Sequence, residues 1–181
     1  AFFALTLALT MCLGGLTTVF AAGDPVEGNE ATIKKVLQMP EGTSTPAATF
    51  TFHFEKKSYN DNAADKAKLP TITDKNISFL TSENGSTSNG LKTVSKESAD
   101  FFSGISFPNA GVYTYTLTET SGTYSGTELY HMDYSGAEYE IRAYVENGAG
   151  GPELKKISAV IVKKDGSHDG TVNVGDKVNP T

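Results

Sequence analysis

Disulfides cannot hold this protein together. Its 181 residues contain one cysteine, Cys12, so no second thiol exists for it to pair with. Tryptophan is absent as well, and the three histidines, His53, His131 and His168, stand far apart. They lack the His-x-x-x-His or Cys/His spacing that holds zinc. No Gly-x-Ser-x-Gly elbow, phosphate-cradling glycine loop or dinucleotide fingerprint occurs, which leaves serine hydrolysis and nucleotide use without support. No metal and no cofactor is expected. Positive charge is in short supply too: 15 Lys and Arg against 21 Asp and Glu leave a net charge of -6. That balance argues against a nucleic-acid or anionic-membrane partner.

The opening, AFFALTLALTMCLGGLTTVFAAGDP, carries no charge before Asp24 and ends in the small-x-small pattern Val19-Phe20-Ala21. It reads as a signal peptide over residues 1–21 without its basic n-region, cut after Ala21. A transmembrane helix fits less well, because polar, glycine-containing sequence follows at once with no basic flank. A linker is expected over 22–30 and one domain over 31–181. Once the leader is removed, the exported chain has no cysteine at all.

What remains alternates with a period of two. TFTFHFE sets Phe50, Phe52 and Phe54 against Thr49, Thr51, His53 and Glu55. AEYEIRAYVEN sets Tyr139, Ile141, Ala143 and Val145 against Glu138, Glu140, Arg142 and Tyr144. GVYTYTLTET and LKKISAVIVKK are rich in the β-branched and aromatic residues that suit strands. Gly, Asn, Asp, Ser and Pro clusters such as SENGSTSNG, ENGAGGPE and KKDGSHDG separate these runs. The fold class expected is an all-β sandwich, with a long loop or short helix over 57–75. His53 is expected on a solvent face, and His131 and His168 in turns.

Two charged residues break the pattern. In ATIKKVLQMP the parity that buries Ile33 and Leu37 also sends Lys35 inward, and in GVYTYTLTET the parity that buries Tyr113, Tyr115 and Leu117 carries Glu119 to the inner face. Snorkelling at strand ends accounts for either residue alone. A buried ion pair is the other plain explanation, though such pairs are seldom net stabilisers.

ATIKKVL, then AATFTFHFE, then FFSGISFPNAGVYTYTLTET, then AEYEIRAYVEN and a Lys-rich strand, resemble in order and spacing the isopeptide-linkage domain of Gram-positive major pilins and related surface proteins. The resemblance covers nearly all of 31–165, and its most specific piece runs from Phe107 to Glu119. It implies an Ig-like, CnaB-type β-sandwich in which a first-strand lysine forms an amide with a last-strand asparagine, assisted by a glutamate. By position Lys35 matches the lysine, with Lys34 as its neighbour and competitor, and Glu119 matches the glutamate. The Phe-x-Asn closing strand of the family has no counterpart in TVNVGDKVNPT, so the acceptor is expected beyond the chain end, with Asn173 and Asn179 as the late candidates within it.

The resemblance also implies a structural, non-enzymatic role in a cell-surface pilus, with other pilin subunits, sortase and host surface ligands as partners. The lysine through which sortase joins subunits falls late in such domains, where Lys177 fits best and Lys163 and Lys164 follow. The alternative function is a secreted β-sandwich adhesin or carbohydrate-binding module in which Lys35 and Glu119 merely pack.

Overall fold

Alternation in the sequence becomes burial strand by strand. The protein, seen here in a computed structural model, is described over residues 4–5, 7–13, 26–120, 124, 131–132 and 134–165. Its strands are β1 (Ala4–Leu5), β2 (Leu7–Leu13), β3 (Val26–Glu27), β4 (Ala31–Pro40), β5 (Ala48–Tyr59), β6 (Lys75–Phe79), β7 (Ser86–Ser88), β8 (Leu91–Glu97), β9 (Gly111–Thr120), β10 (His131–Met132), β11 (Glu138–Gly148) and β12 (Gly151–Lys163). A six-stranded sheet runs in the order β3, β12, β11, β9, β5, β6, and a four-stranded sheet in the order β2, β4, β8, β7. Their facing sides share one core, so the architecture is the expected all-β sandwich.

Every second residue of β4 is buried, which places Ala31, Ile33, Lys35, Leu37 and Met39 inside. Strand β5 contributes Phe50, Phe52 and Phe54, β9 contributes Tyr113, Tyr115 and Leu117, and β11 contributes Tyr139, Ile141, Ala143 and Val145. The stretch 57–75 divides: β5 continues to Tyr59, and a 3-10 helix follows over Ala63–Lys68, capped by the Asn62 side chain, which accepts from the Ala64 N–H at 3.1 Å. His53 faces solvent and meets Asp74 Oδ1 at 2.8 Å. His131 belongs to the short strand β10 rather than a turn, and His168 lies outside the described residues.

The edges of β4 bear on function. On one side it pairs with β8, and the chain beyond β8 continues this pairing: Ser98 Oγ accepts from the Ile33 N–H at 2.9 Å and Asp100 Oδ1 from the Ala31 N–H at 2.8 Å. On the other side β4 pairs antiparallel with β2, Leu9 standing opposite Lys35. Strand β2 thus comes from the apolar opening read as a leader, and β3, in the expected linker, pairs with β12.

Turn chemistry pins the four-stranded sheet. Asn89 and Gly90 take φ of 51° and 77° between the paired residues Ser88 and Leu91, as a two-residue hairpin with the right twist demands. Just before this hairpin, a Cβ on Gly85 would stand 2.0 Å from the Thr93 carbonyl oxygen and 2.6 Å from its carbon. Gly85→Ala is therefore expected to destabilise the fold by about 2 kcal/mol in denaturant titration, since backbone, unlike a side-chain tip, cannot swing aside.

A second device sits where β9 begins. Tyr113 Oη donates to the Asn109 carbonyl at 2.7 Å and accepts from the Asn109 N–H at 3.1 Å, much like the tyrosine corner of Ig-like sandwiches. Burial raises the pKa of this phenol, so it stays protonated and able to donate. Tyr113→Phe is expected to cost about 1–2 kcal/mol, read from the urea midpoint, because both backbone groups then lose their partner.

Candidate functional site

Strand parity sends Lys35 of β4 and Glu119 of β9 into the sandwich from opposite sheets, and they meet. Lys35 Nζ donates to Glu119 Oε2 with both side chains fully buried. Lys34, the competing lysine, faces outward, opposite Glu97 of β8. The inward pair is therefore not a case of two stems packing while their heads reach water.

Aromatic rings supply the surroundings. Lys35 Nζ lies 4.3 Å from the Phe50 ring centroid and 5.8 Å from that of Phe52, which is the register partner of Glu119 on β5. Rings of this kind exclude water on one side and offer only a weak cation–π attraction in return. Burial consequently outweighs the neighbouring carboxylate and pulls the Lys35 pKa down from 10.5 to about 8. Burial likewise pushes the Glu119 pKa up, against the opposing pull of Lys35. Each group moves toward its neutral form, so the proton between them can be shared or passed on.

One half of the carboxyl group is left over. Glu119 Oε1 is buried and makes no hydrogen bond of normal geometry with the described residues. An unpartnered buried oxygen carries a desolvation cost, and it is relieved by a donor such as a side-chain amide.

A roof closes the site. On its β11 side Glu119 lies just beyond the paired region, since β11 starts at Glu138 opposite Thr118, and the loop leading into β11 fills the gap. The backbone of Ser135 acts on the Glu119 carboxyl, favouring its ionised form, and the Tyr134 ring packs 5.8 Å from that of Phe50. Asp165, two residues past β12, accepts from the Gly136 N–H at 2.7 Å. None of these roof residues stands out in sequence, because Ser135, Gly136 and Asp165 look like ordinary turn residues.

The other late candidates are dispersed. Lys163 is exposed and pairs in register with Glu138, and Lys164 is half-buried. Asn173, Lys177 and Asn179 lie outside the described residues. Among the described residues no group of three or more His, Cys, Asp or Glu side chains is placed to hold a metal ion.

Three comparisons bear on this geometry. No curated protein matches the sequence. Among solved structures, the major pilin of Streptococcus pyogenes, in a mutant form, is similar at 16% identity and a TM-score of 0.44, covering 81% of this chain and 50% of that one. This chain thus spans half the length of that pilin. The family model described as "FctA: Spy0128-like isopeptide containing domain" matches residues 31–176, from the first residue of β4 past the end of β12. With most of its length inside that match, the chain belongs to the Spy0128-like isopeptide-containing domain family.

Proposed function

We propose that this chain is a structural subunit of a Gram-positive cell-surface pilus or fimbria-like protein, locked by an amide between Lys35 and an asparagine. The observation that carries the reading is the fully buried Lys35–Glu119 pair between the two sheets. A neutral Lys35 amine attacks the asparagine side-chain carbonyl carbon. Glu119, protonated, hydrogen-bonds the carbonyl oxygen and then relays the proton that lets the amide nitrogen leave. One C–N bond forms, one breaks, and ammonia departs. Folding supplies the proximity, so the event happens once and the domain turns over no substrate.

Asn173 is the preferred acceptor within the chain. The family match takes in Asn173 and stops at 176, short of Asn179. Asp165, eight residues before Asn173 in the chain, is near enough for its charge to act on both Lys35 and Glu119. Digestion of the native chain is expected to release a branched peptide joining the Lys35 and Asn173 segments, absent in Asn173→Ala and kept in Asn179→Ala. A branch to a residue beyond Thr181 in a longer version of the chain would reassign the acceptor and leave the roles of Lys35 and Glu119 standing. No branch in either would end the proposal.

Assembly through sortase follows from the same reading, with Lys177 as the receiving amine and Lys163 and Lys164 behind it. The carbohydrate-binding alternative draws no support from the tyrosine-rich strands, since Tyr113, Tyr115 and Tyr139 point into the core.

A further inference from the structure

Resting on the crosslink reading, we propose that Asp165 is a positioning residue for amide formation, holding the roof over Glu119 and setting the range of pH in which the pair carries a single proton. The geometry begins with the bond from the Gly136 N–H to Asp165 Oδ1 at 2.7 Å. Gly136 sits between Ser135 and Ala137, both buried, and Ser135 Oγ closes the turn by accepting from the Ala137 N–H at 3.2 Å. Fixing Gly136 therefore fixes the Ser135 backbone against Glu119 and the Tyr134 ring against Phe50, the ring beneath the amine. A Cβ on Gly136 would meet Asp165 Oδ1 at 3.2 Å, so the glycine lets the carboxylate approach closely. The two ends of this clamp come from different parts of the chain. The roof cannot be held until β12 has docked, which ties the chemistry to completed folding.

Charge gives Asp165 its second effect. Its carboxylate raises the pKa of both Lys35 and Glu119, since a nearby negative charge favours the protonated form of each. The reactive state holds one proton between the two groups. With two, Lys35 is an ammonium and no nucleophile; with none, Glu119 has no proton to give. Raising both pKa values moves this working range to higher pH without changing its shape. Among the described residues, Lys163 and Lys164 adjoin Asp165 in the chain, and Lys163 pairs in register with Glu138.

The test follows ammonia loss by intact mass as the full chain, recovered unfolded from inclusion bodies, refolds over a series of pH values. Asp165→Asn, which can still accept from Gly136, is expected to shift the whole rate profile toward acid. Asp165→Ala, which also loses the clamp, is expected to shift it equally and to lower its maximum by up to about a hundredfold. Asp165→Glu is expected to restore the native pH range even where its reach costs rate. If the native and Asp165→Asn profiles superimpose, the inference is overturned while the crosslink stands. If neither the native chain nor a longer version that continues past Thr181 loses ammonia at any pH, the crosslink reading falls and takes this inference with it. Should Asp165→Ala fail to fold, the asparagine and glutamate variants decide the matter.

Discussion

Lys35→Met is expected to keep the full mass that its own sequence predicts, without the loss of one ammonia expected of the native protein, and to lower its unfolding free energy by about 5 kcal/mol. The magnitude comes from the unfolded state. An amide from Lys35 to Asn173 closes a loop of about 140 residues, and closing so long a loop removes much of the entropy that unfolding would otherwise gain. Methionine fills nearly the same volume, so little of the loss belongs to a cavity, whereas Lys35→Ala adds one. Glu119→Gln is likewise expected to lose no ammonia and to cost nearly as much stability, because its amide keeps the shape but cannot relay a proton. Mass spectrometry and guanidinium titration on the three variants check this together. A mass equal to that of the sequence, both in this chain and in a longer version that continues past Thr181, would sink the proposal outright. A crosslinked native chain no more stable than Lys35→Met would leave the bond in place but remove its stabilising purpose.

Much of this architecture could be read before any coordinates, and the reason is parity. Strands β4, β5, β9 and β11 each bury one face, and a one-residue slip would expose every apolar side chain, so their alternation is written plainly. The same parity marked Lys35 and Glu119 as inward. It could not show that they face each other, since that depends on how two sheets stack, and no local pattern encodes stacking. Strands β6, β7 and β8 were harder to read. β7 is exposed along its length and β8 fully buries only Val94, so their regularity comes from pairing with neighbours rather than from a buried face. The pairing of β2 with β4 was hidden for the opposite reason, because the run around Leu7–Leu13 is too uniformly apolar to carry a period. Asp165 was hidden best of all. Its role depends on a backbone amide 29 residues earlier in the chain, in a loop with no sequence signal of its own.

The ring beneath the amine sets the second large effect. Phe50→Thr, which keeps a strand-forming β-branched residue but admits water, is expected to slow ammonia loss at neutral pH by up to about 300-fold. That limit is the change in neutral amine if the Lys35 pKa climbs from about 8 back to 10.5. Phe50→Leu is expected to behave differently. It keeps water out while removing the ring face that steadies the ammonium, so the Lys35 pKa stays low or falls further, and the rate holds or rises. The contrast separates desolvation from cation–π attraction, which act on Lys35 with opposite sign. Alkaline buffer then probes Glu119. Raising the pH restores neutral amine to Phe50→Thr, but water at the site also returns Glu119 toward the ordinary carboxylate range, where it is ionised and has no proton to relay. The variant is therefore expected to stay slow at every pH. Full recovery at high pH would show that a free amine suffices and that Glu119 is not the acid.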